Sequence, residues 1–122
     1  MRYFKYIVYK ENNQIKVHFG YVSFHKDLLP SKPFNYRGYW EFPECLGGGM
    51  FILSFDSKTI TLYGDSTDFG KVKSDILNNV INTQKDKIFN DLWYACHFAR
   101  KDDEKYDLDD NYSFDDWKIK II

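Results

Sequence analysis

The first 23 residues constrain the fold most tightly. Residues 2–9 (RYFKYIVY) are dense in aromatic and β-branched residues and read as a strand. Residues 14–23 alternate, with Ile15, Val17, Phe19 and Tyr21 on one side and Gln14, Lys16 and His18 on the other. A period of two marks a half-buried strand, because successive strand side chains point to opposite faces of a sheet. Glu11-Asn12-Asn13 between the two segments is a turn signal. The two segments therefore read as a β-hairpin.

The remaining chain must build onto that hairpin. Phe24-His25-Lys26-Asp27-Leu28-Leu29 reads as one helical turn or a loop, because Pro30 and Pro33 forbid a long regular helix. Residues 50–64 read as two strands around Asp56-Ser57-Lys58, with Phe51, Leu53 and Phe55 alternating before Ile60 and Leu62. Gly47-Gly48-Gly49 stands ahead of them, a position of unusual dihedrals or close backbone approach. Asp65-Ser66-Thr67-Asp68 has helix N-cap composition, with Ser66 the favoured cap. Val72, Ile76 and Val80 then recur as on a helix face, and Ile88, Leu92, Cys96 and Ala99 mark a second helix. Residues 102–110 are acidic and read as an exposed loop. Trp117, Ile119 and Ile121 alternate with Lys118 and Lys120 as a terminal strand. This order predicts an α+β fold: a single domain with a mixed β-sheet and helices packed on its faces.

At 122 residues, with 20% aromatic residues, the chain suits one domain with a real core and excludes disorder. Its net charge of −1 excludes a globally basic nucleic-acid binder. Residues 1–61 carry eight Lys and Arg against five Asp and Glu; residues 62–122 carry nine against thirteen. No apolar run approaches the roughly 18 residues of a membrane span. Arg2 and Lys5 precede Tyr-rich alternation, not the apolar core of a leader peptide. The expectation is a cytoplasmic protein with no membrane or nucleic-acid partner. Cys45 and Cys96 lack CxxC spacing and read as free thiols.

Standard chemical signatures fail. The triple glycine is not followed by Gly-Lys-Ser/Thr, so it is no Walker loop. Asp107, Asp109 and Asn111 begin like a calcium loop, but Tyr112 stands where Gly is required and Lys118 where the final Glu belongs. His18, His25 and His97 show no zinc spacing. His18 reads as a polar-face strand residue, and His97 as packing near Trp93. No metal or cofactor is expected.

One combination is more specific. Phe4-Lys5-Tyr6 lies in the first strand and Phe24-His25-Lys26-Asp27 follows the second. Glu44-Cys45-Leu46-Gly47-Gly48-Gly49 precedes the next strand pair, which runs into Tyr63-Gly64-Asp65-Ser66. Here the chain resembles the Janus/Ocnus family, whose enzyme members are small phosphohistidine phosphatases. The resemblance covers about residues 3–77, leaving residues 83–111 to read as a helical and acidic insertion. It implies a mixed sheet with helices on two faces. It further implies that His25 is the catalytic imidazole, acting on phosphorus directly or through water, with Lys5 beside it as a phosphate-binding cation. The backbone amides of Lys26 and Asp27 and the hydroxyl of Ser66 would complete the phosphate site, without a metal.

That assignment is chemically coherent, because phosphoryl transfer is catalysed mainly by alignment and charge stabilisation. An imidazole near neutral pKa can act as base or nucleophile, and a nearby ammonium lowers that pKa. Three departures bear on activity. Met50 follows the glycines where the enzymes have Arg, Val17 falls where a second Arg lies, and Asp68 replaces a small residue. Arg2 and Arg37 are cations that could compensate. Two functions follow: a phosphohistidine or phosphoramidate phosphatase acting on a phosphorylated protein or small phosphoramidate, or a non-catalytic regulatory or immunity-type module on the same fold. In the second, the acidic 102–110 segment would receive a protein partner.

Overall fold

The computed structural model describes residues 1–30, 32–33, 40–41 and 43–122. The hairpin forms as the sequence dictates. Strand β1 (Tyr3–Glu11) pairs antiparallel with β2 (Gln14–Val22). Asn12 and Asn13 close it at φ 52° and 64°, the left-handed region that a two-residue primed turn requires and that Asn tolerates. Lys32–Pro33 (β3) pairs with Trp40–Glu41 (β4) as a separate short ladder.

The main sheet adds β5 (Glu44–Ser54), β6 (Thr59–Tyr63) and β7 (Lys118–Ile121), in the order β2-β1-β5-β6-β7. Every pairing is antiparallel except β6 with β7. A parallel partner needs a long crossover. Residues 64–117 supply it, and they contain helices α1 (Ser74–Thr83) and α2 (Lys85–Ala99). The fold is thus α+β, as expected from the element order.

The two sheet faces do different work. Tyr6 and Val8 of β1, Val17 and Phe19 of β2, and Phe51 and Leu62 beyond them are buried in the main core. Leu77, Val80 and Ile81 of α1 pack there, with Ile88, Leu92 and Cys96 of α2. Residues 85–99, expected within an insertion, therefore form part of that core. The opposite face of β1 presents Lys5, Ile7 and Tyr9. Leu28, from a 3-10 turn over His25–Leu28, covers Ile7 and Tyr9 in a smaller cluster. Gly20 leaves room for it: a Cβ there would lie 2.6 Å from Leu28 Cδ2.

Two expectations are corrected. The triple glycine lies within β5, opposite Tyr6, Ile7 and Val8 of β1, and not ahead of a strand. Glycine is needed there by what crowds the strand. Gly47 has φ 133°, and a Cβ on it would meet the Val72 backbone nitrogen at 2.7 Å. Residues 65–68 do not cap a helix. α1 starts at Ser74 after Lys73, with no side-chain cap, and Val72 is buried ahead of it. Instead, Ser66 and Gly70 exchange backbone hydrogen bonds across a tight turn, with Gly70 at φ 78°, and Ser66 Oγ accepts the Phe69 N–H. Hydroxyls satisfy such turns by the chemistry they use in helix caps.

Candidate active site

His25 opens the 3-10 turn and is only 7% exposed. Its Nε2 lies 2.9 Å from the carbonyl oxygen of Gly49. A carbonyl only accepts, so Nε2 carries the proton and Nδ1 holds the free lone pair of the neutral ring. Gly48 creates the space, since a Cβ on it would stand 2.8 Å from His25 Cδ2 and 2.6 Å from Tyr6 O. The middle glycine is therefore part of the imidazole's seat.

Burial lowers the His25 pKa below its ordinary 6.5, because the cation is poorly solvated there. The Gly49 hydrogen bond opposes this. The positive charge of Lys5 lowers the pKa further, while Asp68 and Asp65 raise it. Lys5 thus acts on His25 across the same sheet face. Its Nζ donates to Ser23 O at 2.8 Å, in the loop leading to the turn. Met50 is the cross-strand partner of Lys5 and shares its face. Val17 is fully buried in the main core and faces away from His25.

The amides of the turn divide. Asp27 N–H donates to Phe24 O at 3.1 Å, and the Asp27 carboxylate accepts the Phe24 N–H at 3.2 Å. Asp27 thereby closes the turn, and its amide is engaged. Lys26 N–H has no acceptor among the described residues. Ser66 belongs to the turn anchored beside His25, because Gly70 O accepts from both Gly48 N–H and Ser66 N–H. Ser66 is itself only 3% exposed; its Oγ accepts from Phe69 N–H and keeps a hydroxyl proton to donate.

The structure thus brings together His25, Lys5, the Lys26 amide and the 65–68 turn. This arrangement is built on the residues that carried the family resemblance, and the model of the Janus/Ocnus family matches residues 2–90. The chain belongs to the Janus/Ocnus family. Searches of curated proteins and of solved structures return no match. In this Janus/Ocnus protein the match ends within α2.

Sequence reasoning missed the Gly49 carbonyl and Asp65. A backbone acceptor has no residue signature; only the glycine run, which permits close approach, could have flagged it. Arg2 lines a cleft beside β2 with Ser23 and Asp27, whereas Arg37 lies outside the described residues. His97 stacks on Trp93 at 5.5 Å, the packing role expected of it. Among the described residues no group of three or more His, Cys, Asp or Glu could hold a metal ion, and no helix is long and apolar enough to cross a membrane.

Proposed function

We propose that this protein is a phosphatase of phosphohistidine or a related phosphoramidate, working without a metal, with His25 as its catalytic residue. The observation that carries the reading is a neutral imidazole, fixed through Nε2 to Gly49 O, with Nδ1 lacking a partner among the described residues and Lys5 acting on the ring. Nδ1 takes a proton from water as the water oxygen attacks phosphorus. The P–N bond breaks, the departing nitrogen gains a proton, and inorganic phosphate leaves. Lys5 provides positive charge, and the Lys26 amide and Ser66 hydroxyl provide donors for the phosphoryl oxygens. A labile P–N bond suits a site in which Met50 has replaced a cation.

The test is phosphate release from a histidine-phosphorylated peptide in EDTA, comparing wild type with His25→Ala. Wild type should exceed the uncatalysed rate, and removal of the base should cost about 10²–10⁴-fold. Equal, uncatalysed rates for both would refute the proposal. A non-catalytic binding module is the second reading. It draws on Met50, on the engagement of Lys5 by Ser23 O, and on the carboxylates of Asp65 and Asp68 near His25. Its partner surface would be the acidic 102–110 segment, which is largely exposed.

A further inference from the structure

Strand β2 is an edge of the main sheet, and its free side is only half covered. The register fixes which groups point outward. Glu11 and Gln14 flank the two-residue turn and exchange hydrogen bonds, so Ile15, Val17, Phe19 and Tyr21 occupy the non-hydrogen-bonded pairs with β1. Their N–H and C=O groups therefore face away from the sheet.

Polar side chains from α2 and its N-terminal junction cover the first half. Gln84 Nε2 donates to Ile15 O at 2.7 Å, Lys87 Nζ donates to Val17 O at 3.2 Å, and the buried Asp91 carboxylate accepts Phe19 N–H at 3.1 Å. That cover stops at Phe19. Among the described residues, nothing takes the carbonyl of Phe19 or the N–H and C=O of Tyr21. These groups open onto a cleft of about 600 Å³. Its facing wall is α2, where Tyr94 and Phe98, one turn apart, remain 51% and 50% exposed. Arg2 also lines the cleft and has no carboxylate partner among the described residues.

We propose that this open end of β2 docks an extended segment of the phosphorylated protein as an added strand. The unspent backbone groups specify the occupant, since an alternating N–H and C=O edge is matched by another extended backbone. Alternate side chains of the segment pack on Tyr94 and Phe98, and an acidic one meets Arg2. Continuity with the candidate site gives the docking its purpose. Ser23 and Asp27 line the cleft, Ser23 O holds Lys5, and the chain reaches His25 four residues after Tyr21. The inference rests on His25 as the reactive group and makes the substrate a protein segment, since a free phosphoramidate could use none of these contacts.

The test adds two ligands separately to the ¹⁵N-labelled protein. One is a peptide carrying a non-hydrolysable phosphonate analogue of phosphohistidine flanked by Leu and Glu; the other is the same analogue as a single amino acid. The expected result is that both shift His25, while only the peptide slows hydrogen exchange at Tyr21 N–H and shifts residues 94–98. Phe98→Asp should weaken the peptide about tenfold more than the single amino acid. If both shift His25 but Tyr21 exchange and Phe98→Asp show no peptide-specific effect, the docking edge is refuted and the phosphatase reading survives. If the peptide protects Tyr21 but neither ligand reaches His25, the edge stands as a peptide site and the phosphatase reading falls. Protection of Tyr21 by a second copy of the protein alone, seen as concentration-dependent dimerisation without peptide, would also overturn the proposal.

Discussion

Gly48→Ala isolates the seat of His25 from the chemistry that the imidazole performs. The added Cβ would stand 2.6 Å from Tyr6 O and 2.8 Å from His25 Cδ2, where ordinary contact begins at 3.4 Å. The Tyr6 O contact is with ladder backbone and is relieved only by shifting β5 against β1, while the Cδ2 contact requires the imidazole to give way. A displacement of roughly half an ångström or more lengthens the Nε2–H···O bond to Gly49, which is 2.9 Å in the intact protein. Overpacking of this kind costs about 1–3 kcal/mol and the weakened hydrogen bond about 0.5–1.5 kcal/mol. The variant should therefore lose about 2–4 kcal/mol, a fall in Tm of roughly 10 °C for a domain of this size. Urea and thermal unfolding measure the loss, and imidazole ¹⁵N shifts report whether His25 keeps its proton on Nε2. A variant within about 0.5 kcal/mol of wild type, with the tautomer unchanged, would refute the argument that Gly48 shapes the site.

Further outcomes follow from the same geometry. Lys5→Gln removes a charge that lowers the His25 pKa, so the His25 titration midpoint should rise, read by NMR, along with the acid limb of any phosphatase activity. The folded His25 binds its proton less readily than the unfolded residue. Its stabilising contribution is thus complete above pH 6.5 and is lost as pH falls through the folded pKa; His25→Leu should flatten that part of the stability profile. Asp91→Ala strips the buried acceptor of Phe19 N–H and the ion-pair partner of Lys87, and should cost about 2–4 kcal/mol in urea unfolding. Burial pushes the Cys96 thiol up to about 12, so a thiol reagent at neutral pH should label it only as fast as the protein unfolds.

The parts of this fold that were legible are those set by local periodicity. Alternation over residues 14–23 and the Asn12-Asn13 turn specify the hairpin without any tertiary contact. The second helix was readable because Ile88, Leu92, Cys96 and Ala99 share one face, and all four are buried. The 65–68 segment misled because Ser and Asp serve helix caps and compact turns equally well, and the choice was made by Gly70 and its contact with Gly48. The parallel pairing of β7 with β6 depends on the route of the whole crossover, which no local pattern records. At the site, alternation alone left Lys5 as an ordinary solvated strand residue. Its relation to His25 came from the family resemblance, and the Gly49 carbonyl from the structure alone.

In the proposed mechanism His25 is a neutral imidazole, protonated on Nε2, whose Nδ1 faces the water that attacks a phosphoryl group beside Lys5. A ¹H–¹⁵N titration of the imidazole, with and without the phosphonate analogue of phosphohistidine, tests it most directly. The expected result is an Nε2–H tautomer, a midpoint below 6.5, and a shift of both His25 and Lys5 when the analogue binds. A proton on Nδ1, a midpoint at or above 6.5, or resonances unmoved by the analogue would contradict it.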